Sequence, residues 1–523
     1  MRIVTACLLV LAPSLAAPAA HAASCESLSA LKLKDTVITT AQSIPAGKFE
    51  TPYGNVIDHL PAFCRVAGVI RPTSDSNIRF EVWLPEAAWN EKLLGVGNGG
   101  FAGSIDYRML AGNLRRGYAS GATDTGHEGE AGDASWAFGH PEKVIDFGYR
   151  GLHEETANAK AVIQAFYGRP AQRSYFDACS DGGREALMEA QRFPEDYDGI
   201  LAGAPANFWT HMLGGSIDVV KATTGDPRAY ISSLKTPVIA KAVLAACDAQ
   251  DGVKDGFLNN PPACRFDPAV LLCHGADSLS CLTAPQVASL KKLYSGGRDS
   301  HGRSIFPGFA PGDESPGWGT WILGAGPGGG AGADYLQNYF RYMVFQDPAW
   351  NPLTADVDKA VQAADERTAH ALNATAADLS AFHARGGKLI VYHGWNDPAI
   401  SPLNSVNYYN SVVKQMGAQT TDSFMRLYMV PGMEHCAGGP GPSSFGQLGL
   451  TTAKAPEYGI YTALEQWVEK GIAPTEIIAT KYEGAARSVK MTRPLCAYPQ
   501  IAKYKGTGDA NDSANFVCSS AVQ

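Results

Sequence analysis

The sequence has no block of basic residues and little charge of either sign. Lys and Arg number 43 against 51 Asp and Glu, and charged residues make up 18% of the 523 residues. The basic surface of a nucleic-acid-binding protein is therefore missing. Beyond the N-terminus there is no uninterrupted apolar run of about 20 residues, the length that a transmembrane helix needs. Neither a nucleic acid nor a membrane is expected among the partners of this chain.

The N-terminus has the layout of a secretory signal peptide. Met1-Arg2 supplies a positive charge, Ile3–Leu15 is apolar, and small residues end at Ala20-His21-Ala22. This order predicts a leader over residues 1–23, cleaved near Ala22 or Ala23, and a secreted or periplasmic protein. An ordinary buried first helix is the alternative.

Cysteine is abundant for a chain of this length. Eleven Cys are present, and loss of Cys7 with the leader leaves ten, which predicts five disulfides in an oxidising compartment. Three pairs are close in sequence: Cys247 with Cys264, Cys273 with Cys281, and Cys496 with Cys518. Two further bridges are left to form among Cys25, Cys64, Cys179 and Cys436.

Strand-like and helical segments alternate on both sides of a long middle region. The predicted helices cover 154–167 and 184–192, and the predicted strands cover 79–84, 92–97, 174–178, 197–202, 387–394 and 424–431. This alternation predicts the α/β class, a mostly parallel sheet with helices on both faces, over residues 24–206 and 385–523. Residues 207–384 are richer in Gly, Pro and Trp and are expected to form an inserted second domain, with the glycine run 324–332 as a flexible surface loop.

Ser180 lies in the turn Ala178-Cys179-Ser180-Asp181-Gly182-Gly183, between a predicted strand and a predicted helix. A nucleophilic serine needs small neighbours in such a turn because the backbone is strained and the helix packs close to the strand. The turn also directs the Asp181 N–H toward the site where an oxyanion would form. A structural turn of the same sequence is the alternative.

Asp397 and His435 follow later strands, in the chain order Ser, acid, His that α/β-hydrolases have. His435 is expected to act as the general base, and Asp397 to orient it. His393 is a competing histidine, although its place before Gly394 favours a structural role. Asp181 is a weaker candidate for the orienting acid, because its side chain leaves the turn beside the nucleophile.

Cys179 precedes Ser180, and Cys436 follows His435. If Ser180 and His435 come together, these two cysteines are close enough to form a disulfide that links nucleophile to base. Cys179 is not expected to be a nucleophile, because an exported thiol with an available partner is oxidised.

A glycine turn, Gly97-Asn98-Gly99-Gly100-Phe101, follows an early strand. It is the expected source of the second oxyanion N–H, for which we nominate Gly100. A plain glycine-rich turn is the alternative.

Asp248, Asp251 and Asp255 are spaced along a loop with two glycines. Hard oxygen ligands at this density suit calcium, with the backbone carbonyls of Val253 and Phe257 completing the shell, and such a site is expected away from the catalytic residues. The loop is not an EF-hand, since its aspartate spacing differs and no Glu closes it. A solvated acidic turn is the alternative.

An aromatic patch with one arginine lies in the middle region. Its residues are Trp318, Trp321, Tyr339, Phe340, Arg341, Tyr342 and Phe345. Trp318 and Phe345 are candidates for lining a pocket for an aromatic acyl group, and Arg341 is a candidate for binding a carboxylate or phenolic oxygen. The alternative is lid core with one surface arginine.

Cys179-Ser180-Asp181-Gly182-Gly183, Asp397 and His435-Cys436 together resemble the tannase and feruloyl esterase family. The likeness covers nearly the whole mature chain, and Ala178 departs from it because glycine is commoner there. The resemblance implies an α/β-hydrolase domain with a lid, the triad Ser180-His435-Asp397, and structural calcium held by Asp248, Asp251, Val253, Asp255 and Phe257. The bridges that it implies are Cys25–Cys64, Cys179–Cys436, Cys247–Cys264, Cys273–Cys281 and Cys496–Cys518.

The expected activity is hydrolysis of an ester between an aromatic acid and an alcohol. Feruloyl and related hydroxycinnamoyl esters are expected first, with gallate esters and mono(2-hydroxyethyl) terephthalate as alternatives. A non-catalytic, calcium-dependent carbohydrate-binding protein on the same scaffold is the alternative from another class. The sequence does not indicate an oligomeric state.

Overall fold

The computed structural model describes residues 23–312, 314, 317–450, 459–484 and 487–520. The predicted leader lies outside the described residues except for Ala23. The strands are β1 (Thr36–Ile44), β2 (Gly47–Glu50), β3 (Val56–Leu60), β4 (Phe63–Ile70), β5 (Ile78–Pro85), β6 (Lys92–Val96), β7 (Ala119–Thr123), β8 (Arg173–Cys179), β9 (Gly199–Gly203), β10 (Gly297–Arg298), β11 (Ser304–Phe306), β12 (Lys388–Gly394), β13 (Met425–Val430), β14 (Glu476–Glu483), β15 (Ser488–Cys496), β16 (Gln500–Tyr504) and β17 (Phe516–Ser520). The helices are α1 (Tyr107–Arg115), α2 (Pro141–Ile145), α3 (Gly151–Tyr167), α4 (Asp181–Arg192), α5 (Trp209–Thr224), α6 (Thr236–Cys247), α7 (Ala284–Ser295), α8 (Ala331–Asn338), α9 (Val357–Leu372), α10 (Ser380–Ala384), α11 (Leu403–Met416), α12 (Ala418–Phe424) and α13 (Ile460–Lys470).

A nine-stranded sheet organises the molecule, in the order β1-β4-β5-β7-β6-β8-β9-β12-β13. Every pairing from β7 to β13 is parallel, whereas β1, β4 and β5 are antiparallel to their neighbours. The parallel strands β9 and β13 are buried at every residue, as expected for strands that are covered on both faces.

Helices cover both faces of this sheet. On one face α4 places Leu187 against Phe176 and Ile200 in one hydrophobic cluster. On the other face α13 places Leu464 and Trp467 in a cluster with the inward residues of β12 and β13. The mixed sheet with flanking helices is an α/β-hydrolase fold, as the sequence predicts.

The chain between β9 and β12, residues 204–387, adds no strand to the nine-stranded sheet within its described part. We call this segment the insertion. It contains α5 to α10 and the hairpin β10–β11. One hydrophobic cluster includes Trp209 and Tyr339 of the insertion together with Phe101 and Phe147 of the hydrolase domain. The insertion is therefore packed directly against the carboxyl edge of the sheet.

Pro227–Asp251 is long and apolar enough, by length and composition, to cross a membrane. Its longest α-helix is α6, which has only 12 residues. Ile239 and Val243 of α6 are buried in the insertion, and Cys247 forms a disulfide there. A helix of this length cannot span the hydrocarbon core of a bilayer, and these side chains face protein.

Candidate active site

Ser180 occupies the sharp turn between β8 and α4, with φ 69° and ψ −122°. Its backbone N–H donates to the Gly203 carbonyl at 3.0 Å. The left-handed φ is a strained conformation for serine, of the kind found at nucleophile turns. A Cβ at Gly182 would lie 2.8 Å from the Asn98 oxygen, and one at Gly183 would lie 2.2 Å from the Gly203 oxygen. Only glycine fits at these two positions.

Ala178, which departs from the usual glycine, is accommodated by two neighbouring glycines. A Cβ at Gly97 would lie 2.7 Å from the Ala178 methyl group, and a Cβ at Gly182 would lie 2.6 Å from it. The methyl group therefore occupies space that other side chains would fill, and the turn keeps its geometry.

His435 lies between Ser180 and Asp397. Its Nε2 is 2.9 Å from Ser180 Oγ, and its Nδ1 is 2.7 Å from Asp397 Oδ2. These three side chains come from the ends of β8, β12 and β13 in the parallel part of the sheet. With a proton on Nδ1, Nε2 can accept the serine proton, which is the arrangement of a nucleophile, a base and an orienting acid.

Asp397 is held as an anion by its hydrogen-bond partners. Burial by itself would raise the pKa of this carboxyl, but His435 and His393 outweigh burial and hold its pKa well below the ordinary range. Its Oδ1 accepts hydrogen bonds from the backbone N–H groups of Ala399 (2.8 Å) and Ile400 (3.0 Å). A buried carboxylate with this many donors remains charged, so it can stabilise a protonated His435.

His393 does not compete for the role of base. Its Nε2 lies 3.1 Å from Asp397 Oδ2 and 3.1 Å from the Ile400 carbonyl, and its Nδ1 lies 2.7 Å from Ser405 Oγ. Because the two neighbours of Nε2 are acceptors, Nε2 carries a proton. His393 is thus a second, fully buried support for Asp397.

Asp181 is not the orienting acid. Its Oδ1 accepts a 2.6 Å hydrogen bond from Arg184 Nε. Arg184 is fully buried, also donates to the carbonyls of Gly148 and Phe147, and lies over the rings of Phe147 and Trp209. The ion pair fixes the start of α4, and the partner of His435 Nδ1 is Asp397.

The glycine turn after β6 is fastened to α4. Asn98 N–H donates to Glu185 Oε2 at 2.8 Å, and Asn98 O accepts from Gly182 N–H at 2.8 Å. Gly100 in this turn has φ +62° and lines the same cavity as Ser180. Among the described residues, neither the Gly100 N–H nor the Asp181 N–H has a hydrogen-bond acceptor. Both amides are therefore available for an oxyanion, and the assignment of Gly100 remains a prediction.

The described residues contain five disulfides. The bridge Cys179–Cys436 spans 257 residues and joins the residue before Ser180 to the residue after His435. The others are Cys25–Cys64, Cys247–Cys264, Cys273–Cys281 and Cys496–Cys518. The pairing is the one that the sequence resemblance implies.

A cavity of about 1320 Å³ opens above Ser180 and His435. From the insertion, its wall includes Trp209, Met212, Leu213, Ser216, Trp321, Gly332 and Tyr335. From the opposite side come residues of the β2–β3 hairpin and of α1, among them Tyr53, Asn55, Asp106, Arg108 and Arg115. The described part of the insertion gives the cavity an apolar, aromatic and uncharged wall, whereas the α1 side is polar.

The structure places the predicted substrate contacts, Arg341, Phe345 and Trp318, away from the cavity wall. Arg341 donates to the Trp350 carbonyl and to Gln337. Phe345 stacks on Phe340 and Trp350, and Trp318 is buried near Tyr294 and Phe309. All three stabilise the insertion instead.

Trp209, Trp321 and Tyr335 take their place at the cavity. Trp321 belongs to the aromatic patch noted in the sequence and lies 5.3 Å from the His435 ring. Trp209 and Tyr335 had no signal of their own in the sequence. The glycine run 324–332 is also more than a surface loop, since a Cβ at Gly330 would lie 2.5 Å from the Ile322 oxygen, and Gly332 reaches the cavity.

The predicted calcium loop contains donors that suit the ion in kind. Asp255 Oδ1 is buried without a hydrogen-bond partner among the described residues. Burial, opposed by Arg493 and reinforced by the neighbouring Asp251 and Asp248, raises the pKa of Asp255 to about 7. A divalent cation would relieve this repulsion between carboxylates. In the described part of the chain, however, no three acidic, His or Cys side chains are gathered as a metal site by themselves.

The sequence analysis expected this loop to lie away from the catalytic residues. In the structure, one of its side chains reaches the segment that carries His435. A Cβ at Gly432 would lie 2.9 Å from the Phe257 ring. Gly432 begins the turn that carries His435, so the loop borders the segment that holds the base.

Comparison with known proteins gives concordant matches. A family model described as tannase and feruloyl esterase matches residues 64–519. An uncharacterized esterase of Xanthomonas campestris pv. campestris is 46% identical, over 96% of this chain and 92% of its own length. The mono(2-hydroxyethyl) terephthalate hydrolase of Piscinibacter sakaiensis is 34% identical, over 88% of this chain and 85% of its own. The crystal structure of feruloyl esterase B from Aspergillus oryzae has a TM-score of 0.88 and 30% identity, covering 95% of this chain and 99% of that chain.

Proposed function

The chain belongs to the tannase and feruloyl esterase family and is a carboxylic ester hydrolase, and from this premise we propose that it cleaves esters of aromatic acids through an acyl-Ser180 intermediate. The observation that carries the proposal is the hydrogen-bonded chain Ser180–His435–Asp397 at the floor of an aromatic cavity. The non-catalytic carbohydrate-binding alternative is set aside by the family membership.

Each triad residue has one task in the proposed reaction. Ser180 Oγ attacks the ester carbonyl carbon while His435 Nε2 takes the serine proton. The carbonyl oxygen becomes an oxyanion beside the amides of Asp181 and Gly100. His435 then returns the proton to the leaving alcohol. The alcohol departs, and the acyl group remains on Ser180. A water molecule repeats the sequence and releases the acid.

Asp397 supports both proton transfers. It keeps the proton of His435 on Nδ1 and stabilises the imidazolium that forms twice in each turnover. The Cys179–Cys436 bridge links two turns, the one that carries the nucleophile and the one that carries the base.

The insertion side of the cavity favours a hydroxycinnamoyl acyl group, whereas Arg108 and Arg115 lie on the α1 side. Trp209, Trp321 and Tyr335 offer flat surfaces for an aromatic ring. Lining residues from the described part of the insertion carry no charge, so a terephthalate carboxylate would have no ion-pair partner there. A galloyl group, with three hydroxyls, would also find few polar partners among Met212, Leu213 and the aromatic rings.

The test is release of free acid from methyl ferulate, ethyl gallate and mono(2-hydroxyethyl) terephthalate, measured side by side. Methyl ferulate should be cleaved with the highest kcat/KM, and Ser180→Ala should be inactive on all three while keeping its Tm. Preference for either other ester would reassign the acyl group. Wild-type-like turnover by the Ser180→Ala protein would refute the mechanism.

Calcium in the loop around Asp248, Asp251 and Asp255 is a second part of the proposal. These carboxylates and the carbonyls of Val253 and Phe257 would hold the ion, which would stabilise the fold and supply no chemistry to the ester. The unpartnered Asp255 Oδ1 supports this assignment.

Export is the third part, supported by the leader pattern and by five disulfides. The intact mass of the exported protein should correspond to an N-terminus at Ala23 or Ser24. A mass that retains Met1–Ala20 would contradict it.

A further inference from the structure

The hydroxyl of Tyr335 lies beside the backbone turn that contains Gly100. A Cβ at Gly100 would come within 2.7 Å of Tyr335 Oη. Tyr335 belongs to α8 of the insertion, whereas Gly100 follows β6 of the sheet. The insertion therefore places a polar atom next to one of the two amides that are available for an oxyanion.

Aromatic contacts hold the Tyr335 ring in this position. The ring stacks with Trp321, at a centroid distance of 6.0 Å and an interplanar angle of 17°, and its centroid lies 5.3 Å from that of Phe101. Trp321 in turn contacts His435 edge to face at 5.3 Å. Tyr335, Trp321 and Ser180 all line the same cavity. Packing thus fixes the ring of Tyr335 in the wall of the cavity that contains Ser180.

The Tyr335 hydroxyl has no hydrogen-bond partner among the described residues, whereas the hydroxyls of Tyr294 and Tyr339, also in the insertion, have one. Tyr339 shares a 2.7 Å hydrogen bond with Thr368, and Tyr294 donates to Glu314 at 2.6 Å. Their hydroxyls are committed to the protein. Tyr335 lines the cavity, and within the described part of the chain its hydroxyl donor is not used by another residue.

Electrostatics keep this hydroxyl protonated. Burial raises the pKa of Tyr335, and the charge of Asp181 raises it further. Asp181 is the residue that follows the nucleophile. Tyr335 is therefore close enough to Asp181 for its charge to shift the pKa of the hydroxyl, and it also lies beside Gly100.

We propose that the Tyr335 hydroxyl donates a third hydrogen bond to the oxyanion that forms on the ester carbonyl oxygen, alongside the N–H groups of Gly100 and Asp181. The proton stays on Tyr335 Oη throughout, and no bond to it breaks. Tyr335 is then a catalytic residue supplied by the insertion, which would contribute to transition-state stabilisation as well as to the cavity wall. The proposal rests on the acyl-Ser180 mechanism.

The test compares Tyr335→Phe with the matched variant Tyr342→Phe, using 4-nitrophenyl acetate as the ester. Tyr342 lies in the same insertion, contacts Phe138, and does not line the cavity. Loss of one oxyanion donor costs about 10²–10³ in kcat where few donors exist. Because two amides remain here, Tyr335→Phe should lower kcat by about 10- to 100-fold with little change in KM. Tyr342→Phe should match the wild type.

A trifluoromethyl ketone separates a catalytic role from a packing role. Phenyl trifluoromethyl ketone adds to the serine and forms a hemiketal oxyanion, whereas ferulic acid binds as a product without one. Tyr335→Phe should raise the inhibition constant of the ketone by the factor that kcat/KM loses, and should leave that of ferulic acid unchanged. The proposal is overturned if neither constant changes or if both rise equally.

Failure of the underlying mechanism would be visible in the wild type. If the ketone does not inhibit the wild type, or if Ser180→Ala still binds it equally well, then the acyl-serine mechanism and the role of Tyr335 are both overturned. If the wild type behaves as expected and only Tyr335→Phe does not, the role of Tyr335 alone is overturned.

Discussion

Gly97 has no room for a side chain, because residues next to the nucleophile turn fill the space around its Cα. A Cβ there would lie 2.6 Å from Glu185 Oε2 and 2.7 Å from the Ala178 methyl group, whereas a Cβ at Gly99 would meet nothing within 4 Å. Gly97→Ala should therefore destabilise the protein by about 1–3 kcal/mol, because the methyl group overpacks a closed site. Urea unfolding measures the effect, and Gly99→Ala is the control. Equal stability of the two variants would contradict this reading of the turn.

Glu185 is a buried carboxyl that holds Asn98, with Asp181 and Arg184 as its charged neighbours. Burial, together with the charge of Asp181, raises the pKa of Glu185 to about 8, against the opposing effect of Arg184. The folded state thus keeps a proton that the unfolded state loses above its ordinary pKa, so stability falls as the pH rises from about 4.5 to about 8. A glutamine at this position would not titrate.

Glu185→Gln should therefore gain stability relative to the wild type between pH 5 and pH 9. The glutamine side chain keeps an acceptor for the Asn98 N–H, so the difference at pH 5 should be small. The measurement is the free energy of unfolding at both pH values, with Glu195→Gln, at an exposed position, as the control. The same difference between variant and wild type at both pH values would show that Glu185 does not titrate in this range.

The sequence predicts the role of a catalytic residue when a short local motif determines its position. Ser180, Asp397 and His435 follow strand ends in the required chain order, so their meeting needs only the fold. Trp318, Arg341 and Phe345 were misplaced because aromatic content does not say which side of a short helix meets the cavity. Tyr335 reaches Gly100 across more than 200 residues of chain, a contact with no local sequence signal.

At the scale of elements, the antiparallel strand β5 and most of the parallel strands were predicted, whereas β1, β4 and the parallel strand β7 were not. The predicted strand 174–178 is the core of β8, and the predicted helix 154–167 ends with α3. Strands that are buried on both faces read as plain apolar runs. β1 is half-exposed and rich in Thr, so its sequence carries a weak pattern.

The Cys179–Cys436 bridge joins two of these elements at the active site. Removing it by Cys179→Ser with Cys436→Ser should cost about 2–5 kcal/mol of stability, because it closes a very long loop. It should also lower kcat, since the turn carrying His435 would no longer be tied to that carrying Ser180. Thermal unfolding and ester turnover measure the two effects.

The matched control is the double variant Cys273→Ser with Cys281→Ser. This bridge closes a loop of 8 residues within the insertion and touches no triad residue. Its loss should reduce stability less and leave kcat unchanged. Equal effects of the two double variants on kcat would argue against a role of the Cys179–Cys436 disulfide in positioning Ser180 and His435.

At the scale of the whole molecule, the loop proposed to bind calcium connects the insertion to the hydrolase domain. Asp255 pairs with Arg493 of β15 at 2.5 Å, and Phe257 borders the turn that leads to His435. Chelation should therefore lower Tm and also reduce kcat, and added Ca²⁺ should restore both better than Mg²⁺.

Asp251→Asn is the matched variant for the calcium prediction, because it removes one proposed ligand while keeping its size. Its Tm should respond less to a chelator than that of the wild type. A wild-type Tm that is unchanged in excess chelator would refute the proposed calcium site. A fall in Tm without any change in kcat would leave the ion as a fold-stabilising group without influence on the base.

In the proposed mechanism, Ser180 carries the acyl group during turnover. The most direct measurement is intact-protein and peptide mass spectrometry of enzyme that has been mixed with methyl ferulate and quenched in acid within the first turnover. The predicted result is one feruloyl adduct, located on the peptide that contains Ser180 and absent from the Ser180→Ala protein. A protein that hydrolyses the ester without any adduct on that peptide, or with the adduct on another residue, would contradict the account.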